Sequence, residues 1–372
     1  MNKNKPNMKS FDFVLFSVII ILVAFGVIMV FSASSYTCAL DPNINDSMYY
    51  LKRQSLWALI SLCAMIYMVR FDYHKIKKYT GLLMVLSFGL LLLTFAFPEV
   101  NGAKRWIRLG PLGNFQPSEL VKYVVVFFMA KGIENKGDRI KKFFSGVVPY
   151  LMIAGIYAGI VLIQKNLSIA AVIIIITLIL LYIGGIKQFH FWGILVPFFG
   201  AAGAAAAIFV PYRMKRLMNF INPWATAKTE GYQLCQSLLA IGTGGIWGVG
   251  LGQSRQKRFF LPERHTDFIF SVTAEELGLI GCTVIILLFL VFIWRGIVTA
   301  IRAKDVYGTI LASGITSVIA VQAIINIAVV SGSFPVTGVP LPFISYGGSS
   351  LLINLMAAGI LLNISRQINK SF

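Results

Sequence analysis

The sequence predicts an all-α, polytopic membrane protein of about ten transmembrane helices. Three observations carry that prediction. Of 372 residues, 57% are hydrophobic and only 13% are charged, whereas a soluble domain is about half apolar and a quarter charged. The apolar residues fall in blocks of about 20, long enough to cross a hydrocarbon core of about 30 Å. Short alternating segments of the kind a membrane β-barrel needs are not seen.

In order, span 1 covers about Phe11 to Ser34 and follows a basic leader with Lys3, Lys5 and Lys9. Its apolar run is too long for a cleavable signal, and no small-residue cleavage site follows it convincingly. Span 2 runs about Ser55 to Val69 and leaves Arg53 just outside it. Span 3 is about Gly81 to Phe97, and span 4 starts at Pro117, a residue suited to a first helical turn. Span 5 (Phe144 to Gln164) and span 6 (Leu167 to Ile183) are split only at Lys165 and Asn166. Span 7 is about Phe191 to Val210. A long loop fills 211–264. Spans 8, 9 and 10 cover about Thr266 to Trp294, Val306 to Val330 and Ser345 to Leu362. The chain reads as one membrane domain, 1–372: helices 1–7 over 11–210, the loop 211–264, and helices 8–10 over 266–362.

An even number of spans puts both termini on one side. That side collects the N-terminal lysines and the basic clusters at 70–78, 131–142 and 295–304. The short loops opposite hold six: Lys52, Arg53, Lys104, Arg105, Arg108 and Lys165. The positive-inside rule therefore makes the N- and C-termini cytoplasmic and the loop between helices 7 and 8 external. A net charge of +19 is then membrane topology, and no nucleic acid is expected as partner. Of the four cysteines, Cys63 and Cys282 fall in apolar spans as packing residues; Cys38 and Cys235 fall outside them, and spacing alone assigns no disulfide.

The external loop has aromatic content at Tyr212, Trp224, Tyr232, Trp247, Phe259 and Phe260, so it does not read as disordered. Gly231 to Ile241 reads as a short amphipathic helix at the membrane interface. Gly242 to Gly252 then has six glycines in eleven residues, followed by Arg255, Lys257 and Arg258. Backbone N–H groups of such a run can form an anion nest, which the cations would complete as a phosphate cradle. The competing reading is a flexible hinge with snorkelling basic residues. There is no Walker A motif, so the chain is not an ATPase.

Carboxylates in or near a membrane are functional candidates by default. Asp267 stands at the outer end of span 8, where it is either a working carboxylate or a helix cap. His265 is an acid, a base or a neighbour. Glu275 and Glu276 point about 100° apart, so one of them is structural. Glu119 and Lys122, three apart, pair on one face of span 4. The 331–344 loop is uncharged and runs into Ser345 to Ser350, where small residues, Ser349 among them, allow close approach of helices or a lipid chain.

The motifs NGAKRWIRLG (101–110), FQPSELVKY (115–123), PERHTDFIFSVTAEELG (262–278) and PLPFISYGGSS (340–350) together resemble the SEDS family (shape, elongation, division and sporulation). The stretch GYQLCQSLLAIGTGGIWGVGLGQSRQK and the NPWA at 222–225 fit the same family. The match covers nearly the whole chain and is nearer the FtsW/SpoVE branch than the RodA branch. The resemblance implies a ten-helix peptidoglycan glycosyltransferase that polymerises lipid II outside the cytoplasmic membrane. It implies a class B penicillin-binding protein as transpeptidase partner, and other divisome or elongation proteins around it. The family's essential aspartate falls on Asp267, its fourth-span pair on Glu119 and Lys122, and its arginine on Arg53. One motif departs. The family's QPDLGT reads QKNLSI at Gln164 to Ile169, with Asn166 in place of the acid and Lys165 as an alternative source of positive charge.

The chemistry this implies needs a base for the acceptor hydroxyl and cations for the departing diphosphate. Asp267 is the expected catalytic base. Arg53, Glu119, Lys122, Arg255, Lys257, Arg258, His265 and Ser349 are the expected substrate-binding residues. No metal ligand set is expected, and a divalent cation, Mg or Mn, is left open. The alternative reading is a flippase for the same lipid-linked precursor; a non-catalytic scaffold is a third.

Overall fold

The structure, a computed structural model, describes residues 11–368 except 101, 109, 111, 112, 210 and 259. Lys3, Lys5, Lys9, Lys370 and Phe259 lie outside the described residues. The chain is helical almost throughout: α1 (Phe13–Leu40), α2 (Tyr49–Arg70), α3 (Tyr73–Leu93), α4 (Pro117–Lys136), α5 (Val148–Ile163), α6 (Leu167–Ile183), α7 (Val196–Ile208), α8 (Pro211–Ile221), α9 (Tyr232–Gly244), α10 (Ile269–Ile301), α11 (Val306–Val330) and α12 (Gly348–Gln367). A small antiparallel ribbon of β1 (Ile107–Arg108) and β2 (Asn114–Phe115) precedes α4. Among the described residues, six helices are long and apolar enough to cross a membrane, and there are two shorter apolar segments, Leu167–Ile183 and Phe189–Ala205.

Each predicted span falls on a helix, but several boundaries move. α2 starts at Tyr49, so Arg53 lies within its first turns rather than outside it. α12 starts at Gly348, because residues 341–346 fold as turns. α10 starts at Ile269, and its N-cap is Phe268, which makes no side-chain capping bond. Neither Thr266 nor Asp267 caps that helix.

The core is built on α4, α11 and α12, with α12 against α2, α4 against α3 and α11, and α10 against α1, α9 and α11. Where α12 crosses α2, a side chain at Gly359 would come within 2.6 Å of the Met65 carbonyl. Only glycine allows that approach, as at many close membrane-helix crossings.

The loop between α7 and α10 is folded. α9 packs against the bundle, with Leu234, Cys235, Ser237 and Ala240 buried. Ser237 Oγ donates to the Val330 carbonyl at 2.7 Å and lies 2.8 Å from Ser271 Oγ.

The glycine run is neither a nest nor a hinge. α10 is broken at Gly278, whose φ of 64° and ψ of −164° are not helical. The break frees backbone groups that cannot stay unpaired in an apolar environment. Residues 245–250 supply the partners. Val249 and Gly250 N–H donate to the Glu275 and Glu276 carbonyls at 2.9 and 3.0 Å, and Leu279 and Ile280 N–H donate to the Gly245 and Ile246 carbonyls at 2.9 and 3.2 Å. The glycines are needed for contact: a Cβ at Gly248 would sit 2.2 Å from the Glu276 carbonyl oxygen. Two of the N–H groups expected to face phosphate, those of Val249 and Gly250, are spent on this repair.

Candidate active site

At the start of α10 a cleft of about 530 Å³ opens between α2, the 100–106 loop, the α5–α6 break, and the turns before α10 and α12. Asp267 lines it, as do Arg53, Arg105, Asn166 and Ser349. Its α2 wall continues through Leu56 and Ile60, which are exposed on the outside of the bundle. The cleft thus joins a polar interior to an apolar outer surface.

Asp267 is held by its backbone. Asn326 Nδ2 on α11 donates to the Asp267 carbonyl and to the Val339 carbonyl, both at 2.8 Å. Ser345 Oγ donates to the Thr266 carbonyl at 2.7 Å, and Tyr346 N–H donates to the His265 carbonyl at 2.9 Å. Gly338 lies against the carboxylate; a side chain there would meet Asp267 Oδ2 at 3.4 Å. Asp267 is half-buried in the cleft wall. That burial, with the neighbouring Glu263 charge adding to it, pushes the Asp267 carboxyl up to about 7, while Arg105 and Arg216 oppose the rise. A carboxyl placed there is divided between acid and base near neutral pH, which is what proton transfer at that pH requires.

The cations at the cleft are arginines. Arg53 stacks on Tyr49, 4.7 Å from its ring centre, and hydrogen-bonds Tyr346. Arg105 was counted in the sequence only as a loop charge, yet it lines the cleft. Its Nε donates to the Gln164 carbonyl at 3.1 Å, and a terminal nitrogen donates to the Lys165 carbonyl. Lys165, at a φ of 62°, turns the α5–α6 break so that these carbonyls face Arg105. Its own ammonium goes to the Gly102 carbonyl at 2.9 Å. Lys165 therefore clamps the loop, and Arg105 brings the charge. Asn166 accepts from Ile169 N–H at 3.3 Å and so caps α6, a role an aspartate would also fill.

Beneath the cleft, Lys122 and Glu119 pair at 2.9 Å with both side chains buried. They do not line the opening; Ser350 Oγ, which does, donates to Glu119 Oε2 at 2.9 Å. A chain of Tyr123 hydroxyl to Asn354 Oδ1 (2.7 Å) and Asn354 Nδ2 to Ser350 Oγ (3.3 Å) extends the network. Ser349 Oγ donates to the Asn114 carbonyl at 3.4 Å, tying α12 to the ribbon.

Other expected site residues stand apart. Lys257 is 3% exposed and its ammonium is 2.7 Å from Glu276 Oε1 and 3.1 Å from Ser32 Oγ. Its charge is consumed by that pair rather than offered to diphosphate. Arg255 and Arg258 are exposed and not in the cleft lining; Arg258 lies over Tyr36 at 5.4 Å. The expectation that one of Glu275 and Glu276 is structural falls short, because both are. Glu275 accepts from Arg255 N–H at 2.8 Å and from the Ser254 hydroxyl, fastening the loop that Glu276 holds through Lys257. His265 packs against Tyr50 with ring centres 4.5 Å apart and the planes tilted by 35°, and its Nδ1 has no hydrogen-bond partner. Burial pulls it down to about 4, so it is neutral at pH 7 and serves as a packing ring beside Asp267. Among the described residues no three His, Cys, Asp or Glu side chains gather as a metal site.

Asn326 was missed in the sequence, and Ser345 was read there only as one of the small residues of the 345–350 run. An asparagine inside an apolar span is the signal that would have found the first.

Fold and site together define a multi-helix membrane protein with an arginine-flanked carboxylate in a cleft at one end of the bundle. The FtsW/RodA/SpoVE family model, described as "Cell cycle protein", matches residues 12–370, and the chain belongs to that family. It is 42% identical to the "Probable peptidoglycan glycosyltransferase FtsW" of Geobacter sp. (strain M18), over 97% of this chain and 98% of that protein. It is 43% identical to the "Stage V sporulation protein E" of Bacillus subtilis (strain 168), over 95% and 97%. Among solved structures, a chain from work on polymerization and crosslinking by a peptidoglycan synthase complex superposes with a TM-score of 0.78 at 27% identity, covering 96% of this chain and 98% of that one. The rod shape determining protein RodA of Thermus thermophilus superposes with a TM-score of 0.72 at 27% identity, covering 98% and 100%.

Proposed function

We propose that this chain is a peptidoglycan glycosyltransferase that polymerises lipid II into glycan strands on the outer face of the cytoplasmic membrane, for division or sporulation septa. The observation that carries the proposal is the Asp267 carboxyl, raised towards neutrality in a cleft that also holds Arg53 and Arg105. Asp267 takes the proton of the acceptor sugar hydroxyl as that oxygen attacks the donor's anomeric carbon. The bond from that carbon to the diphosphate breaks, and the arginines stabilise the charge that leaves. A diphosphate leaving group needs no protonating acid, so one carboxylate is enough. The polyprenyl chain lies along the apolar wall at Leu56 and Ile60, out into the bilayer. Glu119 and Lys122 support the floor through Ser350.

In this reading the ten apolar segments α1 to α7 and α10 to α12 all span the membrane as one domain. Both termini are cytoplasmic, and 211–264 faces outside, so the cleft opens externally. The likeness to a chain from a peptidoglycan synthase complex supports a partner, proposed here as a class B penicillin-binding transpeptidase. A divalent ion, Mg or Mn, would meet hard oxygen donors at Glu263 and on the diphosphate, in keeping with how such ions bind phosphates. When bound it would add to charge neutralisation.

The test is polymer formation from externally supplied lipid II by purified protein in detergent, with and without the partner and with and without divalent ion. Long glycan chains support the enzyme. Transbilayer movement of lipid II in vesicles without any polymer would instead support a transporter and overturn the proposal.

A further inference from the structure

Past the end of α2 that lies away from the cleft, His74 stands between two carboxylates. Its Nδ1 lies 2.8 Å from Asp72 Oδ1 and its Nε2 lies 2.9 Å from Asp305 Oδ2. Both acids cap helices. Asp72 is the N-cap of α3 and accepts from His74 N–H at 3.1 Å; Asp305 is the N-cap of α11 and accepts from Gly308 N–H at 2.9 Å. The Tyr73 hydroxyl also donates to Asp305, at 2.8 Å. Asn363 on α12 adds to the knot: its Oδ1 accepts from Tyr73 N–H at 3.3 Å, and its Nδ2 donates to the Val69 carbonyl at 2.7 Å. A single ring thus joins the α2–α3 turn to the start of α11.

The two contacts together fix the form of that ring. An ionised carboxylate only accepts, and a neutral imidazole has one N–H, so a neutral His74 can serve only one of the acids. Its other nitrogen would turn a lone pair on a carboxylate oxygen. The imidazolium donates from both nitrogens, and the observed lengths are those of charge-assisted bonds. Burial works against the charge, but the bonds to Asp72 and Asp305 outweigh it and hold the ring above its ordinary value of 6.5. His74 belongs to the polar 73–80 run, before the apolar stretch of α3 that begins at Gly81, and its side chain is 46% exposed. Its proton therefore exchanges with water.

The neighbouring charges are accounted for element by element. On α3, Lys75 lies over the Phe71 ring at 5.6 Å and Lys78 over the Tyr79 ring at 6.0 Å. Lys77 pairs with Glu134 of α4 at 2.5 Å and lies over the Tyr307 ring of α11, which stacks on Tyr73. On α12, Gln367 hydrogen-bonds Asp72, and Arg366 beside it is engaged as well. Arg70 at the end of α2 and Lys304 before α11 are exposed.

We propose that His74 is a pH-sensitive clasp: as the imidazolium it ties the cap of α3 to the cap of α11, and loss of one proton to water opens one of the two contacts. The helices it fastens carry Arg53 on α2 and Asn326 on α11 towards their other ends. The proposal rests on the geometry of this end of the bundle and not on the activity.

The experiment is a thermal ramp of the purified full chain in detergent, at pH 6 and at pH 9, for wild type, His74→Gln and His74→Arg. The clasp contributes fully below 6.5, and its contribution is lost as pH rises through the higher value in the folded protein. Other groups titrate alike in all three proteins, so the differences at each pH are what is read. At pH 6 wild type should melt about 2–4 °C above His74→Gln, the size expected of exposed ion pairs acting together. At pH 9 that difference should close. Arginine is charged at both pH values and can reach two carboxylates, so His74→Arg should keep its advantage over His74→Gln at pH 9. A wild-type advantage equal at the two pH values, no advantage at either, or a His74→Arg that falls with wild type would overturn the proposal.

Discussion

Replacing Gly248 with alanine should unlock the break in α10. Gly248 has a φ of 80°, and an added Cβ would sit 2.2 Å from the Glu276 carbonyl oxygen and 2.7 Å from Gly278 N. A left-handed alanine costs about 1–2 kcal/mol. The clash pushes the strap away, so at least one of the flanking bonds, Val249 N–H to Glu275 or Gly250 N–H to Glu276, is lost. A buried carbonyl left without its donor costs about 1–3 kcal/mol. The total, about 2–5 kcal/mol, corresponds to a fall of about 4–10 °C in melting temperature at the shallow slope of larger chains. Intrinsic fluorescence of the six tryptophans during a thermal ramp in detergent reads it. Gly242→Ala is the control: that glycine is helical with nothing within 4 Å, and alanine there is neutral or slightly stabilising. If Gly248→Ala melts with wild type and Gly242→Ala, the strap does not hold the broken helix.

Three more outcomes follow from the same geometry. Lys257→Met leaves Glu276 buried without its cation and should destabilise by about 3–5 kcal/mol. Lys257→Met with Glu276→Leu should recover most of that loss, and a single variant as stable as wild type would refute the pair's role. Polymerisation rate should rise with pH through about 7 as Asp267 loses its proton, and Arg105→Gln should move that rise to higher pH, because Arg105 holds the carboxyl down. A profile flat from pH 5 to 9 would contradict it. Asp267→Asn should be more stable than wild type at pH 8 and equal to it at pH 3. The raised carboxyl favours folding fully below its ordinary value of 3.8, and that contribution is lost as pH climbs through about 7. The full linkage is about 4 kcal/mol; water in the cleft reduces the expected gain to about 1–2 kcal/mol. Identical melting at pH 8 would argue against the raised carboxyl.

The helices were legible because apolar blocks of membrane length have one stable answer. The acid at 267 was legible too, since a carboxylate beside an apolar helix demands a reason. The glycine run was misread. Composition shows that a backbone is free to bend but not what it bends towards, and here the partner is a broken turn 30 residues later. Lys257 was misread for a related reason: a basic cluster in sequence does not say which of its members is drawn inward by a carboxylate on another element. Arg105 went unchosen because its position depends on the carbonyls that Lys165 exposes, and no local spacing encodes that contact.

The measurement closest to the central claim is glycan synthesis from lipid II by purified Asp267→Asn, shown to be folded by its melting curve. Asparagine keeps the shape and cannot accept the proton, so polymer should fall by at least about 100-fold, the usual contribution of a positioned base. Product within a few fold of wild type would mean that another group removes the proton, and that the cleft works in some other way.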